Sequence, residues 1–238
     1  MPLVHPTAVI GPDVRLGERV AIGPHAVLVG NCVVGDDCWI GPGVVIGTPP
    51  EVAGITHEAG WSSEDAAPGL PGVVIGAGTI LREGSMVHRG WKAEATVLGA
   101  GCYLMNKVYI AHDCRIADNV TMASTATLGG HVRVGPRANL GMGATVHQFR
   151  VVGPGAMVGM GSVVTRDVPP FGTVHGNPAR LRGVNRVGMS RAGVADETIE
   201  TVGSAYAEHR LPDPGGLADV AAEAFTWWGE ADPQRPLV

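Results

Sequence analysis

Every sixth residue from Leu104 onward is a large aliphatic: Leu104, Ile110, Ile116, Met122, Leu128, Val134, Leu140 and Val146. Two positions before each sits a smaller one: Cys102, Val108, Cys114, Val120, Ala126, Val132, Ala138 and Ala144. This is a hexapeptide β-solenoid repeat, in which each hexad makes one short strand and one corner. Stacked coils then bury a core that no single hexad could bury alone. Three hexads close one coil, so residues i and i+18 fall on the same edge of successive coils.

The same beat starts at Val4 and runs through Ile10, Leu16, Ile22, Leu28, Val34, Ile40 and Ile46. It returns at Ile75, Leu81 and Val87, breaks once more, and continues from Leu98 to Val164. The count predicts between seven and eight coils, a prism about 35 Å tall at the usual strand spacing. Glycine follows the beat at Gly11, Gly17, Gly23, Gly35, Gly41 and Gly47, where a sharp corner is expected to need positive φ. The interruptions at 48–72 and 89–96 are insertions that bulge from the solenoid. The first carries Glu51, His57 and Glu64 as candidate substrate contacts. Prolines and glycines after Val164 (RDVPPFGTVHGNPARLRG) are expected to end the repeat. The β-helix is therefore assigned to residues 1–183 and a helical region to 184–238. Apolar spacing predicts helices over 196–210 and 217–228, with Trp227 and Trp228 as packing anchors.

A formal charge of −5 gives no basic field for nucleic acid. No long apolar run or charged leader is present, which predicts a soluble, cytoplasmic protein with no stable membrane insertion. Cys32, Cys38, Cys102 and Cys114 all occupy the small inward slot and lack the spacing for stacking, so core filler is expected rather than a disulfide or a metal site. His5 and His25 are expected to be solvated.

The 18-residue coil stacks His112, Gly130 and Gln148 in one column, with Asp113, His131 and Phe149 beside it and His147 next to Gln148. A histidine facing a bare glycine backbone suits acyl transfer, with a general base below and an N–H donor for the oxyanion above. Asp113 is placed to orient His112 or stabilise its charge.

IAHDC (110–114), TLGGHV (127–132), VHQF (146–149), VHRG (87–90), DVPPF (167–171) and the tail's GVN, Arg191 and SAY (204–206) resemble the UDP-N-acetylglucosamine O-acyltransferases that begin lipid A synthesis. The resemblance covers nearly the whole chain, and IAHDC, GGHV and VHQF in this order are its most specific part. It implies a mainly β fold, a left-handed parallel β-helix of hexapeptide repeats with a C-terminal α-helical tail. It also implies a homotrimer with active sites between subunits, and transfer of an acyl group from acyl carrier protein to a UDP-sugar hydroxyl without metal or other cofactor. By position, His112 is the base and the Gly130 N–H the oxyanion donor. His88, His131, His147 and Gln148 line the substrate cleft, and Asn185 and Arg191 contact the nucleotide or its phosphates. Met160, stacked 18 residues beyond Met142, is the implied acyl-chain ruler, and its bulk predicts a group near ten carbons.

This chain has Tyr109 where the family usually has a second histidine, and Lys107 where it usually has asparagine. The first insertion lacks the family's Asn-Gln-Asp-Leu-Lys-Tyr segment, which leaves the acceptor open. An N-acyltransferase acting on an amino- or diamino-sugar nucleotide, with acyl carrier protein or acyl-CoA as donor, would use the same groups. A trimeric β-helical carbonic anhydrase would need a close pair of ligand histidines that this chain lacks. A non-catalytic solenoid scaffold would have no use for the His112 column.

Overall fold

The computed structural model describes residues 1–54, 71–91 and 94–237. His57 and Glu64 lie outside these, as does part of each insertion. Each aliphatic beat ends a short strand, from Leu3–Val4 to Val163–Val164, and each strand pairs in parallel with the one three hexads later. Three parallel sheets result. Face A begins with Leu3–Val4, face B with Val9–Ile10 and face C with Arg15–Leu16. The register follows the repeat, with Tyr109 opposite Thr127 and Ile110 opposite Leu128. The stack continues across both interruptions, where Ile46 pairs with Val87 and Leu98 with Ile75. Both insertions leave the prism just after face-B strands, Val45–Ile46 and Met86–Val87, and so emerge from the same B/C edge.

Inward residues make one continuous core in which Leu28, Ile40, Leu81, Leu104, Ile110, Leu128 and Leu140 are fully buried. Each such side chain contributes roughly 1.5–3 kcal/mol by leaving water. The small slot two before the beat takes a hydroxyl at Thr79, Ser85, Thr96 and Ser162, all buried. Thr79 Oγ1 donates to Gly99 O at 2.8 Å and Ser85 Oγ to Met105 O at 3.0 Å, which offsets the cost of burying them. The four cysteines are free and buried in this slot. Burial pushes the Cys32 and Cys114 thiols up to about 12, far from the reactive thiolate. Native protein should therefore leave all four thiols unlabelled by a disulfide reagent at neutral pH, and denaturant should expose them together. Rapid labelling of any one in native protein would contradict this burial.

Corner chemistry corrects the expectation about glycine. Of the glycines that follow the beat only Gly47, at the start of the first insertion, has positive φ, at 90°; elsewhere the left-handed residue comes three after the beat, and at His25, Asp37, Asp113, Asn119, His131, Arg137 and Phe149 it is not glycine, with φ between 57° and 62°. At the position after the beat the constraint is space. A Cβ on Gly129 would come within 2.7 Å of the Gln148 nitrogen, and one on Gly135 within 2.5 Å of the Pro154 nitrogen.

Face A also runs further than the prolines suggested. Gly172–His175 pairs in parallel with Met157–Val158, and Arg180–Val184 then returns antiparallel to close the sheet. Three helices follow: α1 (Arg186–Arg191), α2 (Asp196–Ala207) and α3 (Asp219–Glu230). The first expected helix, 196–210, starts as expected at Asp196 and ends three residues early, while the second, 217–228, is shifted by two; α1, only six residues long, carries no periodic signal. Phe171, Met189, Ile199, Val202, Tyr206 and Phe225 form a second core beneath the helices. Trp228 is buried with Val151 and Ala231, while Arg133 lies 5.9 Å over the Trp227 ring. Among the described residues no helix is long and apolar enough to cross a membrane.

Candidate active site

The B/C edge, flanked by both insertions, carries the column Arg89, His112, Gly130, Gln148. His112 Nδ1 lies 2.6 Å from Asp113 Oδ2, and both side chains are largely buried, at 13% and 9% exposure. A carboxylate only accepts hydrogen bonds, so Nδ1 carries the proton, and in the neutral ring Nε2 keeps its lone pair. Asp113 sits in the left-handed corner position, φ 58°, which turns its side chain back onto the preceding residue. Its carboxylate also accepts from the Trp91 N–H at 3.2 Å, and its own N–H donates to Thr96 Oγ1 at 2.9 Å.

Gly130 stands over the imidazole. A Cβ there would come within 2.7 Å of His112 Cε1 and 2.8 Å of Nε2. The Gly130 N–H is spare for a reason built into the coil: along the regular repeat the inter-coil ladder does not use the amide two after the beat, and only beside the insertions does Arg89 N–H donate to Thr48 O, at 3.1 Å. Prolines fill that position at Pro24, Pro42, Pro136 and Pro154, and at Glu18 and Ala100 the N–H donates to Asp36 and Asp118 one coil away. Among the described residues Gly130 has neither substitute, leaving a donor beside His112.

The His131 ring is perpendicular to His112 at 5.1 Å, and its Nε2 lies 3.8 Å from Asp113 Oδ2. His112, Asp113 and His131 offer ligand atoms all within 4.8 Å of one another, a set able to hold a metal ion. His88 is 5% exposed and packs edge-on against Tyr109 at 5.2 Å. Burial lowers its pKa, which favours the neutral ring. Tyr109 OH donates to Glu51 Oε2 at 2.9 Å, so Glu51, at the start of the first insertion, reaches the site. Burial and this bond together push the phenol above its ordinary pKa. His147 and Gln148 are exposed one coil above Gly130, with His147 Nδ1 3.1 Å from Gln148 O.

The remaining candidates lie elsewhere on the prism. Asn185 caps α1 by accepting from the Gly188 N–H, and its Nδ2 donates to Gly155 O at 2.9 Å on the C/A edge. Arg191 ends the same helix and is exposed. Met142 and Met160 stand exposed on the A/B edge, at 53% and 74%. One chain thus spreads its candidate residues over three edges. Sequence reasoning missed Trp91 and Thr96. Trp91 contacts Asp113 through its backbone N–H and sets its ring edge-on to His112 at 6.1 Å, whereas a threonine in the small inward slot does mark an unusual buried hydroxyl.

Residues 167–211 match the family described as UDP N-acetylglucosamine O-acyltransferase, domain 2, and residues 95–130 match bacterial transferase hexapeptide repeats. The acyl-[acyl-carrier-protein]–UDP-N-acetylglucosamine O-acyltransferase of Burkholderia ambifaria is 38% identical over 183 residues, covering 70% of this chain and 70% of that protein. The Sinorhizobium fredii protein of the same name is 38% identical over 136 residues, covering 56% of this chain and 50% of its own length. The chain spans about half the length of the first curated relatives it matches. A UDP-N-acetylglucosamine acyltransferase structure from Bacteroides fragilis superposes with a TM-score of 0.78 at 23% identity, covering 99% of this chain and 100% of that one. One from Campylobacter jejuni gives 0.72 at 25%, covering 96% and 88%. The fold shared with these structures is the left-handed parallel β-helix with a small helical tail.

Proposed function

The chain belongs to the UDP-N-acetylglucosamine O-acyltransferase family, and from that premise we propose that it moves a 3-hydroxyacyl group from acyl carrier protein to a hydroxyl of a UDP-amino sugar such as UDP-N-acetylglucosamine. The observation that carries this is the His112–Asp113 pair beneath the bare Gly130 backbone. His112 Nε2 takes the proton from the sugar hydroxyl as its oxygen attacks the thioester carbonyl, and the Gly130 N–H stabilises the oxyanion. Collapse breaks the C–S bond, and the departing thiolate takes the proton from His112. Asp113 holds the imidazole in the reactive tautomer and balances the imidazolium charge. No step calls for a metal or redox cofactor, so rates should survive chelator treatment. The reaction is assigned to the cytoplasm, where acyl carrier protein and nucleotide sugars would meet it.

A homotrimer completes the site. Along the solenoid strands, from Leu3 to Met157 on face A and from Val9 to Val163 on face B, the outward rows carry no charged residue, running Trp39, Ile80, Tyr103 on one and Val45, Met86, Tyr109 on the other; Arg180 and Arg182 enter face A only in its closing antiparallel strand, whereas face C carries Arg15, Arg115 and Arg133 along its length. Packing face B of one subunit on face A of the next, closed by a threefold axis, covers both without burying charge. That arrangement sets the B/C edge with His112 beside the neighbour's C/A edge with Asn185 and α1, suited to a nucleotide. The interface then leads inward to the A/B edge, where Met160 would stop an acyl chain.

The test is transfer by purified protein with UDP-N-acetylglucosamine and 3-hydroxyacyl carrier proteins of several lengths. The ten-carbon donor should be preferred, and Met160→Gly should shift preference to longer chains. A product stable to mild alkali would be an amide and would replace this reading with N-acylation. Gly130→Ala should lower turnover by at least about tenfold with little loss of stability, because the new methyl displaces the imidazole. An unchanged rate would remove Gly130 from the mechanism.

A further inference from the structure

Phe149 stands on the catalytic edge in a placement that hydrophobic packing does not account for. It occupies the left-handed corner position, φ 62°, which bulky side chains rarely adopt. It is also 55% exposed, so little hydrophobic burial repays that conformation. Phe171, the other phenylalanine in such a corner, is 3% exposed and packs in the second core. What Phe149 does contact is His131: the rings lie 4.6 Å apart and within 6° of parallel. His131 in turn presents Nε2 at 3.8 Å to Asp113 Oδ2, the same oxygen that His112 Nδ1 reaches at 2.6 Å. The Phe149 N–H also donates to Gly130 O at 3.0 Å, fixing the peptide next to the spare amide.

We propose that Phe149 is a positioning residue: its ring, stacked on His131, keeps that imidazole 3.8 Å from the Asp113 carboxylate, beyond hydrogen-bond reach, and so leaves Asp113 to orient His112. Without the stack, His131 can rotate about its side-chain bonds and bond to Asp113 in competition with His112. The carboxylate then no longer enforces a single His112 tautomer. A substitution at 149 therefore acts on the chemical step through two intervening residues, with no need for substrate to touch the ring. The kinetic part of this inference rests on the acyl-transfer reading; the tautomer part does not.

The experiment compares wild type with Phe149→Leu, which keeps apolar bulk but loses the flat face, and Phe149→Tyr, which keeps the stack. Leucine should lower kcat about tenfold with KM for the UDP-sugar within about twofold, and tyrosine should stay within about twofold of wild type. Nitrogen-15 spectra of the imidazoles should show a single Nδ1–H form of His112 in wild type and the tyrosine variant, and a mixture in the leucine variant. An unchanged kcat and unchanged spectra in a folded leucine variant would overturn the proposal. A raised KM with normal kcat would also overturn it, since the ring would then be binding substrate directly. If wild type shows no transfer activity, the functional reading falls, and the spectra alone decide the role of Phe149.

Discussion

His112→Ala will lower transfer by about a thousandfold while leaving the coil intact. Two features set that magnitude. Among the described residues only His112 combines a free Nε2 with a neighbour that fixes its tautomer, through the 2.6 Å bond to Asp113, and general-base catalysis by a positioned histidine contributes roughly 10²–10⁴-fold. The side chain lies outside the hydrophobic core, against Trp91 and His131, so its removal leaves the inward packing of the coil intact. The variant should keep its melting temperature to within a few degrees and its UDP-sugar affinity to within severalfold. His131, with its ring 5.1 Å away, is close enough to substitute. A double replacement that lowers the rate much further than His112→Ala alone would show that it does. A single variant with wild-type turnover would remove the base from its assigned place.

The fold was legible because the inward code is redundant. Twenty-three strands from Leu3–Val4 to Val163–Val164 each end on the expected aliphatic, and a slip of one residue would turn a whole row outward. The catalytic column was legible for the same reason, since an exact 18-residue coil converts sequence distance into spatial contact at His112 and Gly130. Three things were not. Corner glycines obey inter-coil clearance, a quantity that depends on the neighbouring coil's backbone and not on local φ. Helix α1 is set by the Asn185 cap and its bond to Gly155, a long-range contact with no periodic trace. The ties from Trp91 to Asp113 cross an insertion whose path the repeat does not specify.

Asp167→Ala should produce a loss of stability as large as deleting a core side chain. Asp167 is fully buried, yet the sequence marks it only as one residue of DVPPF. Its carboxylate lies 3.3 Å from the guanidinium of Arg150, whose side chain is 11% exposed, and it accepts from the Val151 N–H at 2.9 Å and the Arg235 N–H at 2.6 Å. The backbone of the same residue pairs with the C-terminal strap: Asp167 N–H donates to Arg235 O, and Leu237 N–H donates to Asp167 O. Leu237, 8% exposed, thereby joins the main core at the open end of the solenoid. Alanine would leave a buried cation and two amides without partners, which costs about 3–5 kcal/mol when one member of a buried pair is removed. Asparagine, which can still accept from the amides, should cost less. Denaturant unfolding at matched protein concentration measures the difference, and limited proteolysis should cut residues 233–237 first in the alanine variant. A loss below about 1 kcal/mol would mean that the strap is held by Leu237 packing alone. Because Arg150 Nε also donates to Gln148 O at 3.4 Å, the same variant tests whether the end of the coil steadies the upper part of the catalytic column. If it does, Gln148 loosens, and affinity for the UDP-sugar falls at temperatures where the chain is still folded.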